Sequence, residues 1–249
     1  MGIDYRPLEG GIHEVVINRP ERMNALDIPA KQELGRIWRE AAEDPAVSVL
    51  VLRGAGEKAF CAGSDIKEMQ ATGTMVDTRT LLDAIPGIGV ELNKPVVAAL
   101  HGYTIGMGLT LAIHSDFRIA APTGKLGFPE VQHGMLSGVS AVTLPGLVGE
   151  PRALDLMLTA RLVDPQEALR IGLVDEVASD SFAAALALAR RLASNSAAAV
   201  AQTKRLILLE RRRRAREHAA VIDDARQAVL SSEEFGDVVA HKPGAGRVR

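Results

Sequence analysis

Short apolar runs alternate with glycine-containing turns and amphipathic segments along most of the chain. The near-continuous apolar runs at 47–52 and 95–100 are typical of strands that are covered on both faces. The alternating pattern at 13–18 predicts an earlier strand, and 117–120 predicts a later one. Units of strand, turn and helix recur, without a strict repeat, at 47–70, 96–113 and 117–133. This alternation predicts an α/β fold with mostly covered sheets.

Capping residues and prolines mark where helices begin. Asp27, with proline at position 29, predicts a helix from residue 28 to about 42. The polar stretch 70–80 is expected to be mobile. Further helices are predicted at 81–92, 140–148, 151–159, 165–171, 197–216 and 218–231. We therefore expect a core over residues 1–190 and a helical region over 191–249 that ends in a flexible tail.

Composition excludes several classes of protein. The chain has 249 residues, 47% of them hydrophobic, which is enough for a large core. A net charge of −2 and an aromatic content of 3% argue against a nucleic-acid partner. Cys61 is the single cysteine, so no disulfide framework is expected. No apolar run approaches a membrane span and no leader pattern precedes the first strand, so we expect a cytoplasmic protein without a membrane partner.

Two glycine corners each follow a predicted strand and open a helix. One is Cys61-Ala62-Gly63-Ser64-Asp65, and the other is Gly106-Met107-Gly108. The first amides of a helix lack intrahelical partners, so a corner of this kind can bind an anion or a developing oxyanion. If the fold brings the corners together, the amides of Ser64 and Met107 can point at one carbonyl oxygen. Each such donor typically lowers a barrier by about 3–4 kcal/mol. Taken alone, either corner is equally consistent with a tight turn in which glycine serves packing.

The two corners and their flanking residues resemble the crotonase family, the enoyl-CoA hydratases and isomerases. The run Lys58-Ala59-Phe60-Cys61-Ala62-Gly63-Ser64-Asp65-Ile66-Lys67-Glu68-Met69 is similar to the first signature of that family. Further similar segments lie at 18–26, 94–108, 127–138 and 158–174. Several ordered motifs at compatible spacings, from Val15 to Val177, are far more specific than one glycine corner.

The resemblance implies a crotonase-like spiral of ββα units with a helical C-terminal oligomerisation region that builds trimers, often paired into hexamers. It implies an acyl-CoA substrate, with coenzyme A as part of the substrate and no separate cofactor or metal. The thioester carbonyl oxygen would lie between the backbone N–H groups of Ser64 and Met107, where an enolate is stabilised. Ala62 and Ile66 would lie where the family's backbone grips the adenine, and Asp65 belongs to the same signature.

The sequence departs from the family pattern in its carboxylates. Hydratases of the family use two glutamates, and here the first position is Thr110 and the second is Glu130. A threonine hydroxyl is not a base near neutral pH, although it could hold a water. Glu130 in an apolar pocket should have a raised pKa, which suits proton transfer; alternatively it is a carboxylate favoured by a helix N-terminus. Gly138 replaces the aspartate of some family isomerases and of the aryl-CoA dehalogenases, and Ser137 replaces the usual proline.

Other candidates have simpler explanations. Arg22 and Lys67 could contact the phosphates or ribose of coenzyme A, or they are ordinary surface charges. The run of arginines at 211–214 is interpreted as a solvated helix face, although it could bind phosphates across a subunit interface. His133 could tune Glu130 or serve only packing.

The leading hypothesis is an enzyme that acts on an unsaturated acyl-CoA with Glu130 as its sole acid/base. One carboxylate suits double-bond migration, because the same group can remove and return a proton. A catalytically degenerate acyl-CoA-binding protein is the alternative. A dinucleotide-binding domain is disfavoured because Gly106-Met107-Gly108 lacks the third glycine, and no Gly-x-Ser-x-Gly of a serine hydrolase occurs.

Overall fold

Two parallel sheets form the framework of the protein. The computed structural model describes residues 2–73 and 75–240. Within these residues the strands are β1 (Ile3–Pro7), β2 (Ile12–Ile17), β3 (Val49–Gly54), β4 (Ala59–Cys61), β5 (Val96–Leu100), β6 (Tyr103–Ile105), β7 (Phe117–Ala120), β8 (Lys125–Gly127) and β9 (Glu176–Val177). The larger sheet has the order β1-β2-β3-β5-β7-β9, and the smaller sheet has the order β4-β6-β8. Only β1 pairs antiparallel, with β2.

Helices follow the strands and then occupy the C-terminal part of the chain. They are α1 (Ile28–Glu43), α2 (Ile66–Thr72), α3 (Thr78–Ala84), α4 (Met107–His114), α5 (Gly138–Thr143), α6 (Pro145–Val148), α7 (Glu150–Leu158), α8 (Pro165–Arg170), α9 (Ser181–Ala193), α10 (Ala197–Ile207), α11 (Leu209–Glu217), α12 (Ala219–Leu230) and α13 (Glu233–Val239). Two short 3-10 turns span Pro20–Arg22 and Glu130–His133. Among the helices just named, none has the length and apolar character needed to cross a bilayer.

The chain winds as a spiral. Each turn contributes one strand to the larger sheet, the next strand to the smaller sheet, and then a helix: β3-β4-α2, β5-β6-α4, and β7-β8 followed by α5. The expected spiral of ββα units is therefore confirmed. In register, Leu50 lies beside Val96, and Val97 lies beside Phe117, so corresponding ends of successive turns are superposed.

The larger sheet is buried on both faces, as its apolar runs predict. On one face Val15, Leu50 and Leu52 join the main core with Trp38. On the other face β3, β5 and β7 pack against α9, where Ala185 is fully buried. The indole N–H of Trp38 donates to the Ala84 carbonyl at 2.8 Å, which fixes α3 against α1.

Several predicted boundaries were wrong for local reasons. The helix predicted at 81–92 is α3, which ends at Ala84 because the chain turns through Pro86 and the positive-φ Gly87. In the polar stretch 70–80, residues 70–72 end α2 and residues 78–80 begin α3, while residues 73 and 75–77 are not helical. The helix at 140–148 divides at Pro145, and the one at 197–216 divides at Leu208. The short strands β1, β4, β6 and β8 carry too few residues to show a period.

The C-terminal helices pack onto the spiral of the same chain. In the described structure α11 and α12 contact α5, while α13 contacts α2 and the turn at Glu130–His133. Lys204 of α10 donates to the Lys94 carbonyl at 2.7 Å and to Asp116 at 2.6 Å. The flexible tail predicted at the end of the chain falls mainly on residues 241–249, which lie outside the described residues.

Candidate active site

The two glycine corners lie side by side because β4 and β6 are neighbours in the smaller sheet. A Cβ added at Gly63 would lie 3.8 Å from the Met107 nitrogen. A Cβ added at Gly108 would lie 2.2 Å from the Cys61 carbonyl oxygen, closer than real atoms approach. Gly63 also has φ +106°, which side chains rarely adopt. Glycine is therefore required in both corners for this close approach.

The amides of Ser64 and Met107 are free to bind a ligand. Their neighbours are fixed: Leu26 donates to the Gly63 carbonyl at 2.8 Å, and the Asp65 amide donates to the Leu26 carbonyl at 2.9 Å. Within the described ranges no hydrogen-bond acceptor is found for the amide of Ser64 or of Met107. Both residues line the same cavity, and amides at the start of a helix have no intrahelical acceptor, so a ligand in the cavity can accept from them. Two such amides at adjacent corners form a geometry that suits an oxyanion.

The Glu130 carboxyl group lies against the second corner. Glu130 opens the 3-10 turn that follows β8, and the Gly106 amide donates to the Gly127 carbonyl at 3.0 Å, which ties the two turns together. A Cβ added at Gly106 would lie 2.9 Å from Oε1 of Glu130. Oε2 is buried, and no hydrogen-bond partner for it is found in the described part of the chain.

Burial raises the pKa of Glu130 to about 7, because the apolar surroundings disfavour the charged form. Hydrogen bonds from its own amide and from the Ser137 hydroxyl act in the opposite direction and moderate the rise. Near neutral pH both protonation states are therefore populated. A group that must accept a proton and return it works best with such a pKa.

Three hydroxyl groups lie beside this carboxyl group. Thr110 Oγ1 lies 2.8 Å from Ser140 Oγ and 3.3 Å from Ser137 Oγ, and it donates to the Gly106 carbonyl at 3.1 Å. We call Thr110, Ser137 and Ser140 the hydroxyl cluster. It occupies the position where hydratases of the resembled family place a second glutamate, and it contains no ionisable group near neutral pH.

A cavity of about 870 Å³, its open mouth included, joins these groups. Both corners, Glu130 and Thr110 line it. Its other walls are mainly apolar and come from Met69, Met75, Val76, Leu81, Ile85, Met135, Leu136 and Val139. Gly138 lines it too, and a Cβ there would lie 2.9 Å from side-chain methyl groups of both Leu136 and Ile222, so a larger residue would require these side chains to shift.

The expected binding residues divide into two groups. Ala62 and Ile66 line the cavity together with Ser64, Met107, Thr110 and Gly138. Asp65 is 5% exposed, caps α2 through the amides of Lys67 and Glu68, and pairs with Arg19 at 3.2 Å.

Arg22 lies 4.0 Å from the same Asp65 carboxylate, and Lys67 is exposed on α2. The cavity lining includes none of Asp65, Arg22 and Lys67. All three lie near the start of α2 instead.

The run at 211–214 is only partly a solvated face. Arg212 is buried and donates to the Leu92 carbonyl and to Asn93, each at 2.8 Å. Arg211 reaches the carbonyls that end α4, whereas Arg213 pairs with Glu210 and Glu217 in solvent. The interpretation of the whole run as solvated was therefore wrong for its first two members.

Sequence reasoning missed the cavity residues that α12 supplies. Ile222 packs on Gly138, and Arg226 of the same helix lines the cavity while only 6% exposed. Nothing in the sequence pattern of α12 shows which core it packs against. His133 also lines the cavity. In residues 2–73 and 75–240 no cluster of His, Cys, Asp or Glu could hold a metal ion.

Comparisons with known proteins establish the family of the chain. The family described as enoyl-CoA hydratase/isomerase matches residues 8–235, and the chain belongs to it. It is 38% identical to (E)-benzylidenesuccinyl-CoA hydratase of Thauera aromatica, over 72% of each chain. It is 37% identical to a short-chain-enoyl-CoA hydratase of Clostridium acetobutylicum, over 75% of this chain and 74% of that one. A solved enoyl-CoA hydratase/isomerase from Mycobacterium paratuberculosis superposes with a TM-score of 0.90 at 28% identity, covering 96% and 98% of the two chains.

Proposed function

We propose that the protein acts on an unsaturated acyl-CoA by stabilising its thioester enolate and moving one proton through Glu130. In this proposal the amides of Ser64 and Met107 bind the thioester oxygen. The observation that carries it is the pair of unpaired amides beside a carboxyl group whose pKa burial raises to about 7. Donors aimed at developing charge stabilise a transition state more than a ground state, because the charge on the oxygen grows along the reaction.

Double-bond migration is the reaction that one carboxyl group performs most simply. The Glu130 carboxylate removes a proton from C2 of a 3-enoyl thioester, and the electron pair of that C–H bond delocalises onto the thioester oxygen. The double bond then shifts to C2–C3 as the carboxylic acid returns the proton to C4. Glu130 ends in its starting state, and no second acid is required.

Hydration of a 2-enoyl thioester is the second candidate. Two relatives named above are hydratases, and two members of the hydroxyl cluster, Thr110 and Ser137, line the cavity and could hold a water near Glu130. In that reaction the water oxygen bonds to C3 and a proton goes to C2. Because the hydroxyl cluster has no carboxylate, Glu130 would have to serve both transfers.

A single set of incubations separates these reactions. Short, long, branched and aromatic 2-enoyl- and 3-enoyl-CoAs are incubated in heavy water, and mass spectrometry reads bond migration, water addition and deuterium uptake. We expect Glu130→Gln to lose about 10²–10⁴-fold in turnover while it retains CoA binding, since general acid–base catalysis supplies a factor of this size. Unchanged turnover in this variant would remove Glu130 from the mechanism. Saturable binding without bond migration, water addition or deuterium uptake would instead identify a catalytically degenerate acyl-CoA-binding protein.

We also propose that coenzyme A enters only as part of the substrate and that the protein works in the cytoplasm as a homotrimer or hexamer. Large apolar side chains of the C-terminal helices support the assembly: Ile207 is 72% exposed and Val221 is 62% exposed. Subunit contacts are the usual way to cover such side chains. Light scattering at several concentrations tests the assembly, and a monomer throughout would contradict it.

A further inference from the structure

Arg226 brings a buried positive charge into an otherwise mainly apolar cavity. It belongs to α12, is 6% exposed, and lines the same cavity as the glycine corners and Glu130. The neighbouring wall contains Val76 and Leu81, which belong to the segment before and within α3. Charged side chains are almost never buried to this degree unless a partner compensates them.

The protein supplies only part of the hydrogen bonding that this side chain needs. Nη1 donates to the Thr78 hydroxyl and Nη2 donates to the Val76 carbonyl, both at 2.6 Å. A guanidinium group carries five N–H donors, so three of them have no partner among residues 2–73 and 75–240. Both observed acceptors are neutral, so they fix the position of Arg226 without neutralising its charge.

The nearest acidic side chains are engaged elsewhere. Asp223 accepts a hydrogen bond from the Thr78 hydroxyl, and Asp77 caps α3 by accepting from the Thr80 amide at 2.9 Å. The negative charges of Asp223 and Asp77 favour the charged form of Arg226. In the described chain, however, no carboxylate oxygen comes within ion-pair distance of its guanidinium group. The cavity therefore contains a fixed cation that has no direct ion-pair partner among the described residues, although Asp223 is linked to it through the Thr78 hydroxyl.

We propose that Arg226 is a specificity residue that binds a second carboxylate on the acyl group of the substrate. This inference rests on the proposed function and narrows its substrate class to acyl-CoAs that carry a free carboxylate. A guanidinium group matches a carboxylate in a bidentate manner, and such a pair is strongest where water is excluded. The surrounding methionine and leucine side chains would contact the carbon chain between the thioester and the carboxylate.

Another buried arginine provides a matched control. Arg212 is also 6% exposed, but its guanidinium donates to Leu92 and Asn93 and lies 3.4 Å from Glu91. It is not part of the lining of the cavity that holds Glu130. Arg212→Met therefore removes a buried arginine of equal exposure without altering the proposed subsite.

The test measures binding of saturated thioesters by calorimetry, so it does not depend on turnover. Succinyl-, glutaryl- and adipyl-CoA are compared with butyryl-, valeryl- and hexanoyl-CoA, with free coenzyme A as a third arm. We expect the wild-type protein to prefer one of the carboxylate-bearing ligands. Arg226→Met should then lose about 30-fold or more of that affinity and keep its affinity for the apolar ligands. Arg212→Met should keep the wild-type ratio.

Arg226→Lys guards against misfolding, because it retains the charge but not the bidentate geometry, and thermal melts of all variants accompany the titrations. The inference is overturned if no carboxylate-bearing ligand is preferred, or if Arg226→Met leaves that preference intact. An equal loss of affinity for free coenzyme A in Arg226→Met would also overturn it. Arg226 would then bind a phosphate of coenzyme A and not a carboxylate of the acyl group. Turnover of ordinary enoyl-CoAs without any carboxylate preference would leave the proposed function standing and reject only this subsite.

Discussion

The raised pKa of Glu130 predicts that a neutral replacement stabilises the protein in a pH-dependent manner. Its pKa rises from 4.5 to about 7 in the folded protein, so the folded state holds this proton more tightly than the unfolded chain does. Below pH 4.5 the group is protonated in both states and costs nothing. Between pH 4.5 and 7 the unfolded chain ionises first, and stability falls. Above pH 7 the full penalty of a buried carboxylate is present.

Glu130→Gln removes that penalty because the amide cannot ionise. Each unit of pKa shift corresponds to about 1.4 kcal/mol, and allowing for the partial exposure of the residue leaves about 1–3 kcal/mol at pH 8. For a chain of this size each kcal/mol moves the midpoint of thermal unfolding by about 2–4 °C. We therefore expect the variant to melt several degrees above the wild type at pH 8 and to lose this advantage as the pH falls to 4.5.

Thermal melts of both proteins from pH 4.5 to 8 test this prediction. A constant offset at all pH values would reflect altered hydrogen bonding of the amide, so only the change with pH counts. A difference that does not vary with pH would refute the reasoning, since Glu130 would then ionise as it does in the unfolded chain. Asp65→Asn is the opposite control, because that carboxylate is bonded to Arg19 and to two amides and its loss should destabilise the protein at pH 8.

In the wild type, kcat/KM for double-bond migration should rise about tenfold from pH 6 to 8, as Glu130 becomes a carboxylate.

Two further variants test the surroundings of the same groups. Ser137→Ala removes a hydroxyl that lowers the pKa of Glu130, so the inflection of the pH–rate profile should move to higher pH; an unmoved inflection would show that the hydroxyl does not reach the carboxylate. Gly108→Ala places a Cβ 2.2 Å from the Cys61 carbonyl, which must separate the two corners. We expect kcat to fall about 10²–10³-fold, the value of one oxyanion donor. Gly146→Ala meets no atom within 4 Å and should keep full activity; equal rates in both glycine variants would contradict the role of the corners.

The longer strands of the larger sheet and the two glycine corners could be predicted from the sequence because their signals are local. The runs at 47–52 and 95–100 are almost continuously apolar, since α9 covers one face of the larger sheet and the main core covers the other. The corners are recognisable because glycine is the residue that a positive φ and a close backbone approach require. Glu130 directly follows Pro129 at a predicted turn, and a carboxylate at such a position is easily recognised in the sequence.

The walls of the cavity could not be predicted because their residues are brought together by long-range packing. The three-residue strands of the smaller sheet are too short to show a period. Their pairing nevertheless brings Gly63 next to the second corner and Gly108 next to the first corner. The predicted helix at 81–92 was too long because the apolar residues continue past Ala84. In the structure the chain turns at Pro86 and Gly87. The position of Arg226 depends on how α12 docks against α5, which is a property of the whole fold.

This division between local and long-range signals has a consequence for how the site can vary. In the proposed function the oxyanion donors are backbone amides, so Met107 can occupy its corner without a chemical role for its side chain. In this proposal the type of reaction depends on the carboxylates near the amides. Because Thr110 replaces a glutamate, Glu130 is the one residue proposed to transfer protons here. In the proposed function the acyl group would contact the cavity walls, which come from α2, α3, α5 and α12 and from the segments that join them, and none of these helices supplies the two amides. We therefore expect substitutions in those helices to change the substrate without disturbing enolate stabilisation, and substitution of Gly106 or Gly108 to lower activity towards every substrate.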